Sequence, residues 1–591
     1  MKSTAGTFIK ECCGRIEKRY RICFFSGIIC GLMAHIYALT NHLYNYDELW
    51  HTPTGFGTGV EVGRWALSST VWLQKLFFAD CFTIPFVNGF VTIILYTLTA
   101  CFAVSVLDIN DDFYAGITGA LMTTFPALVC RMFYMFTTHY YAIGIAMTAA
   151  GIWILVRYGG NGRKTSKGIC VLVSAALVIY GMAIYQANFV TVVCLLVGFL
   201  LVDFIRNDPE MKDAFFLCIF YVIYLGACMA LFLSGSRLAL ALTGKEMETY
   251  ENLDSMGQLN PHQLAEGLVR CYKTFLRLPF KDVYSMNPNV IVRFAFLVSM
   301  LVLLYTLIKV WASKKETHLK LLVTAIMAIL PVAVNLIIIM AISSGTMYSI
   351  MVYEIVYVLV LPMASLTALS DMASYAGTCT NTVTDKRPAP YDSREQGNDT
   401  ELYKAAEEET NTENIRKLWE EKFGRKPQAG GFLKAADILI SLALTGTVIT
   451  YIWFANGNYL AMEYTNIHDN AYFTVLMTQI KSVEGYRDDM PVALIGAPSG
   501  DSSFSRQAMI DDTFNIAGKA STNTGEYSYW NIMTRVLGFD PPVRNSDEDE
   551  EYFYHHPEVA AMPEYPDDGS VKVIDDTVVI KFQDVGDITG N

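Results

Sequence analysis

Charged side chains are scarce in this chain. Asp, Glu, Lys and Arg together make up 17% of its 591 residues, whereas hydrophobic residues make up 53%, and the mean hydropathy is +0.31. So little charge in so long a chain excludes a large water-soluble enzyme and predicts a polytopic α-helical membrane protein. Most of the net charge of −13 comes from residues 457–591, and that acidity argues against nucleic acid or an anionic lipid surface as a partner.

Paired cysteines are missing as well. The 13 cysteines show no C-x-x-C spacing, and residues 457–591 contain none, so neither a zinc site nor disulfide bonds are predicted there. Glycine-rich passages at 55–59 and 159–165 lack the preceding strand or the Gly-Lys-Thr adjacency of nucleotide-binding loops. The sequence therefore predicts neither a metal nor a nucleotide cofactor.

About eleven apolar runs are long enough to cross a hydrocarbon layer of about 30 Å as helices. They lie near residues 20–40, 84–107, 114–133, 139–157, 168–186, 188–205, 213–234, 290–311, 320–342, 348–370 and 433–455. Basic residues precede the first run, and the positive-inside rule therefore places the N-terminus in the cytoplasm. Alternation of the spans then places the C-terminus outside, in a multi-pass protein of the cell membrane.

Four regions follow from this topology. They are a membrane core at 1–375 with outer loops at 41–83 and 235–289, a cytoplasmic linker at 376–432, a last span at 433–456 and a small extracytoplasmic α/β domain at 457–591. Within the last region, the pattern predicts a helix over 467–483 and a β-hairpin over 569–582 that turns at Asp575 and Asp576.

Two adjacent carboxylates, Asp47 and Glu48, lie in the first outer loop, just beyond the first span. Ionised groups beside hydrocarbon are costly and mark candidate functional sites. The topology brings further polar residues to the same boundary, namely Arg64, Lys75, Arg131, His139, Tyr185, Gln186 and Asn188. An acid there can accept a proton from a hydroxyl, and a cation can stabilise charge on a departing phosphate. The residues alone leave open the alternative that the acids cap loops and the arginines snorkel.

Four short passages are informative together, namely Asp47-Glu48, Gly63-Arg64, Tyr185-Gln186-Ala187 and the passage 562–570 that leads into 578–581. With the order of elements, they resemble the type II family of O-antigen-modifying membrane glucosyltransferases. That family belongs to the GT-C superfamily, so the resemblance implies a GT-C-like helical core. It also implies transfer of a hexose, most simply glucose, from a polyprenyl-phosphate carrier among the membrane lipids. The implied acceptor is a polysaccharide or teichoic-acid-like glycopolymer of the cell envelope.

The resemblance also implies roles for individual residues. An acid in the first outer loop is the expected base of a single inverting displacement, with Asp47 slightly preferred over Glu48. The remaining implied roles are donor-phosphate binding for Arg64, Arg131 and Arg237, and sugar or acceptor binding for Tyr46, His139, Tyr185 and Gln186. Some GT-C enzymes use a divalent metal, but one acidic pair does not predict one here.

Two other classes of protein compete with this interpretation. A transporter or flippase of lipid-linked sugars would show two repeated halves and ionisable residues at mid-membrane. The sequence shows no clear repeat, and Glu354 is the main ionisable residue inside a predicted span. A receptor with an acidic outer domain would leave the polar residues of the outer boundary without a role.

Overall fold

The computed structural model describes residues 16–51, 55–77, 83–159, 164–248, 260–342, 347–379, 431–496, 530–542 and 547–583. Its helices before the C-terminal region are α1 (Lys18–Thr40), α2 (Tyr46–His51), α3 (Trp65–Phe77), α4 (Pro85–Val106), α5 (Asp112–Thr124), α6 (Pro126–Met132), α7 (Met135–Tyr158), α8 (Lys164–Ile184), α9 (Asn188–Arg206), α10 (Met211–Thr243), α11 (Pro261–Arg277), α12 (Val290–Ser313), α13 (Thr317–Val334), α14 (Leu336–Met340), α15 (Tyr357–Cys379) and α16 (Gly431–Ser482). The predicted linker at 376–432 lies mostly outside these residues.

Ten of the helices that the structure describes are long and apolar enough to cross a membrane, and α5 with α6 meets the same criteria only as a bent pair. The expectation of a polytopic helical membrane protein is therefore confirmed. Hydropathy finds such helices because every backbone polar group in hydrocarbon must be paired within its own segment.

The apolar run predicted at 114–133 is helical but bent. It consists of α5 and α6, which are bent by 40° at Phe125-Pro126. Phe125 is extended, with φ −59° and ψ 135°, because the ring of a following proline disfavours helical backbone. The predicted span at 320–342 is likewise interrupted, since α13 ends at Val334 and Asn335 separates it from α14. The first of these breaks determines where Arg131 lies.

An ionic network closes one end of the bundle. The carboxylate of Asp108, between α4 and α5, accepts hydrogen bonds from the guanidinium groups of Arg19 at 3.2 Å, Arg157 at 3.3 Å and Arg206. Arg206 also pairs with Asp371 at 2.8 Å. We call this end the Asp108 face and the opposite end, where α1 leads into α2, the Glu48 face.

Glycine allows α1 and α5 to pack closely. A Cβ atom added to Gly119 of α5 would overlap the carbonyl oxygen of Cys23 in α1, and backbone cannot move aside as a flexible side chain can. A Cβ atom added to Gly226 of α10 would meet no other atom within 4 Å. We expect Gly119→Ala to lower thermal stability by about 1–3 kcal/mol, as overpacking does. Gly226→Ala is the matched control, and equal melting temperatures for the two variants in detergent would contradict this packing.

The last long helix continues past the boundary predicted at residues 456 and 457. α16 has 52 residues, which corresponds to about 78 Å at 1.5 Å per residue. The helix predicted separately at 467–483 is its final part, because no proline interrupts the intervening residues.

A small sheet packs against the end of α16. Its strands, β1 (Val492–Ile495), β2 (Val571–Ile574) and β3 (Thr577–Lys581), lie in the order β1-β3-β2, with β1 parallel and β2 antiparallel to β3. The predicted hairpin is present, and Asp575 and Asp576 turn with φ of 47° and 56°, as a two-residue primed turn requires. Helices α17 (Asp547–Tyr554) and α18 (Pro557–Ala560) accompany it. The α/β domain at 457–591 remains a prediction as a whole.

The end of α16 also holds the segment that leads into α2. The side chain of Asn466 donates to the Tyr44 carbonyl oxygen at 2.9 Å and accepts from the Tyr44 amide at 3.2 Å. The Tyr44 hydroxyl donates to Asn470 at 2.8 Å. Tyr44 and Leu49 are buried in one apolar cluster with Phe473 and the sheet. We call these contacts the α16 clamp.

Candidate active site

Glu48 points into the bundle from α2. Asn45 caps this short helix by accepting a hydrogen bond from the Glu48 amide at 2.8 Å. The Glu48 side chain is 1% exposed, and its Oε2 atom accepts from the Phe136 amide at 3.0 Å. Its Oε1 atom is buried without a hydrogen-bond partner among the described residues. Burial raises the pKa of Glu48 to about 8, although the Phe136 amide, the Thr83 side chain and the Met135 backbone near the carboxylate act in the opposite direction.

The two adjacent acids have different environments. Consecutive helix residues point about 100° apart, so only one of the pair can face the interior. Glu48 takes that position, and Asp47 is half-buried beside it. The charge of Asp47 adds a small increase to the pKa of Glu48. Since a catalytic base needs a pKa near the working pH, this geometry favours Glu48 over the acid preferred from sequence.

Arg64 lies against two aromatic rings on the Glu48 face. Its Nη1 atom donates to the Tyr141 hydroxyl at 2.9 Å, and its Cζ atom lies 5.6 Å and 5.3 Å from the ring centroids of Tyr141 and Tyr185. These two rings are stacked with centroids 4.5 Å apart. The Arg64 Nε and Tyr185 hydroxyl atoms have no hydrogen-bond partner in the described part of the chain. The two residues that the sequence predicts for donor and sugar binding therefore meet.

Arg131 is fully buried, because the bend before α6 directs that helix into the bundle. Its Nε atom donates to the Ile350 carbonyl oxygen at 3.2 Å, and its Nη1 atom donates to the Tyr96 hydroxyl. Its Cζ atom lies 5.5 Å from the Tyr185 ring centroid. The guanidinium groups of Arg64 and Arg131 thus both lie against the Tyr185 ring.

Glu354 supplies an acid that sequence reasoning noted but did not assign to the site. It is fully buried, and its Oε1 atom accepts from the Thr191 hydroxyl at 2.8 Å. Its Oε2 atom has no hydrogen-bond partner among the residues described, and in this part of the chain Glu354 forms no ion pair with Arg131 within 4.0 Å. The two opposite charges still attract each other electrostatically. In the sequence, the feature that could have assigned Glu354 to the site is its position as an acid within a predicted apolar span.

The other predicted residues occupy varied positions. His139 contacts Gln74 at 3.1 Å through Nε2, and Gln74 also accepts from Tyr140 at 2.7 Å. The Gln186 side chain donates a hydrogen bond to the Val62 carbonyl oxygen, so it helps to hold the first outer loop in place. Arg237 is exposed on α10. The Tyr46 side chain lies outside the described residues.

Unpaired buried atoms are concentrated near these residues. Sixteen buried side-chain polar atoms lack a hydrogen-bond partner in the described structure, and ten belong to elements that meet at the Glu48 face. Their residues are Glu48, Arg64, Trp65, Arg131, Thr137, Thr138, His139, Tyr185, Asn188 and Glu354. Buried polar groups are nearly always paired, so this concentration makes the region the candidate site for a polar ligand. No group of three or more His, Cys, Asp or Glu residues suited to a metal occurs in the described ranges.

A family model, described as glucosyl transferase GtrII, matches residues 36–359, which is more than half of the chain. The chain belongs to the glucosyl transferase GtrII family. No curated protein and no solved structure matches it. This GtrII member is therefore a multi-pass membrane glycosyltransferase. The matched region contains Glu48, Arg64, Arg131 and Glu354, whereas α16 and the sheet lie beyond it.

Proposed function

We propose that this protein transfers a hexose, glucose by the family description, from a polyprenyl-phosphate donor to a cell-envelope glycopolymer. The carrying observation is Glu48, a buried carboxylate with one unpaired oxygen on the same face as Arg64 and Arg131. An acid and two guanidinium groups provide a proton acceptor and a phosphate-binding pair. In this proposal the Glu48 face is the outer face, and the enzyme has a GT-C-type core.

The proposed reaction is a single displacement. The Glu48 Oε1 atom accepts the proton of the acceptor hydroxyl while the hydroxyl oxygen bonds to the anomeric carbon. The bond between that carbon and the phosphate oxygen breaks, and its electron pair leaves with the polyprenyl phosphate. Arg64 and Arg131 stabilise the negative charge that develops on the phosphate. Attack from the side opposite the phosphate inverts the anomeric centre.

The stacked rings of Tyr141 and Tyr185 suit the sugar. They lie beside both guanidinium groups, so a hexose against them would place its anomeric phosphate within reach of the cations. The unpaired Tyr185 hydroxyl can bond a sugar hydroxyl. Gln74 and His139, already bonded to each other, line the approach from α3 and α7.

Transfer is tested with purified protein in vesicles that contain a polyprenyl-phosphate glucose and a soluble acceptor glycan. We expect kcat/KM to rise about tenfold per pH unit below about 8 and to level off above it, because the base is active only when Glu48 is ionised. Asp47→Asn should keep this rise and shift it to slightly lower pH, since the Asp47 charge raises the pKa of Glu48. A profile that levels off near the ordinary carboxyl pKa of about 4 would contradict Glu48 as the base, and absence of transfer would contradict the donor.

A further inference from the structure

A second polar feature of the Glu48 face lies on α11. This helix begins with a capping box in which Asn260 accepts from the Gln263 amide at 2.8 Å. Its buried residues Gly267, Cys271 and Phe275 recur every four positions and face the rest of the protein. α11 is therefore a strongly two-sided helix, with one side packed against α14 and another exposed.

A cavity of about 230 Å³ lies between α11 and the region after α13. One wall carries three cations, Arg270, Lys273 and Arg277, and the opposite wall is apolar, with Ile338 and Ile342. None of its lining residues is acidic. Arg270 pairs with Glu266 of its own helix at 2.6 Å, and neither Lys273 nor Arg277 forms an ion pair within the described ranges. We call this cavity the α11 pocket.

The α11 pocket is separate from the candidate active site but close to it. Tyr284, which lines the pocket, accepts a hydrogen bond at its carbonyl oxygen from the Ser349 hydroxyl at 2.9 Å. Ile350, which follows Ser349 in the chain, accepts a hydrogen bond at its carbonyl oxygen from the Arg131 Nε atom at 3.2 Å. Two consecutive residues, Ser349 and Ile350, thus contact Tyr284 of the pocket and Arg131 of the candidate site.

We propose that the α11 pocket binds the phosphate of a membrane lipid with a net negative charge. Guanidinium and ammonium groups form charge-assisted hydrogen bonds with phosphate oxygens, and the apolar wall suits the adjoining chain. Leu264, Leu268 and Leu276 are exposed on the same helix. Apolar side chains beside cations on a two-sided helix are typical of a helix at the lipid headgroups.

Two lipids share this chemistry. In a phospholipid such as phosphatidylglycerol, one phosphodiester is attached to the glycerol that bears the two acyl chains. In a polyprenyl phosphate, one phosphate is attached to the end of the isoprenoid chain. The proposal concerns phosphate recognition by Lys273 and Arg277 and does not require sugar transfer. Failure of the transfer assay would therefore leave it standing.

The test measures lipid binding by the full-length protein in nanodiscs of phosphatidylcholine. Phosphatidylglycerol or polyprenyl phosphate is added as the probe, and bound lipid is counted by native mass spectrometry. We expect Lys273→Gln and Arg277→Gln each to weaken binding about fivefold, which is the effect of one cation near a lipid headgroup. Lys281→Gln, an exposed cation nearby that does not line the pocket, is the matched control and should bind as the unaltered protein does.

The outcomes separate the proposal from its alternatives. Unchanged binding in both pocket variants overturns it, and so does an equal loss in Lys281→Gln, because that loss would reflect general surface charge. Selective loss with phosphatidylglycerol identifies a phospholipid site, and selective loss with polyprenyl phosphate identifies a carrier site. Equal melting temperatures show that the exposed substitutions leave the fold intact.

Discussion

Glu48→Gln is expected to lower sugar transfer by about 10²–10⁴-fold, the usual contribution of a general base. Glutamine has nearly the same shape and can still accept from the Phe136 amide, but it cannot take a proton. The expected loss therefore falls on kcat rather than on donor affinity. Transfer of labelled glucose in vesicles, measured at saturating donor, checks this prediction.

Asp47→Asn is the matched control for that experiment. It removes the neighbouring charge while leaving the buried acid in place, so we expect transfer within about tenfold of the unaltered rate. The Glu48→Gln variant should also melt at about the same temperature, because a buried carboxyl with a pKa of about 8 is mostly neutral at pH 7. A large loss in Asp47→Asn with full activity in Glu48→Gln would assign the base to Asp47.

Arg131→Met is expected to have two large effects. Transfer should fall by about 10²–10³-fold, because a preorganised donor to the departing phosphate is lost. Stability should fall by about 1–3 kcal/mol, because the Ile350 carbonyl oxygen and the Tyr96 hydroxyl lose their buried donor and Glu354 loses an attracting charge. Transfer assays and thermal unfolding in detergent measure the two effects separately.

The double variant Arg131→Met with Glu354→Gln separates a structural role of Arg131 from a role with phosphate. It removes both charged groups but does not restore the donor to Ile350 and Tyr96, so we expect stability to recover only in part while transfer stays low. Arg131→Lys keeps the positive charge but loses the planar guanidinium group, which donates one hydrogen bond to Ile350 and another to Tyr96. Recovery of transfer in the double variant would show that Arg131 acts only by balancing Glu354.

The sequence predicts those parts of the fold that depend on local hydrophobicity. Spans such as α4 and α9 are found because ~20 apolar residues in a row have no other stable state in a membrane. The hairpin at Asp575 and Asp576 is found because alternation and turn chemistry are also local. Hydropathy does not predict that α16 continues through residue 457. Its more polar C-terminal part is stabilised by tertiary contacts with the sheet.

The sequence predicts the residues of the candidate site better than their arrangement. Topology alone brings Arg64, Arg131 and Tyr185 to one boundary, and the structure shows them in contact. The choice between Asp47 and Glu48 depends on the rotation of a six-residue helix, which Asn45 and Phe136 fix. The place of Glu354 depends on helix packing, which no local pattern encodes.

The α16 clamp has a consequence for how the protein is made. Tyr44 and Asn466 are separated by 422 positions in the chain, so a ribosome adding about 5–20 residues per second needs about 20–80 s to supply the second after the first. During that time the loop with Glu48 has already left the ribosome without the α16 contacts that hold it in the folded protein. The Glu48 contacts with Asn45 and Phe136 can form early, whereas the Tyr44 contacts of the α16 clamp can form only after α16 has been synthesised, so the segment before α2 is the last part of this loop to be held in place.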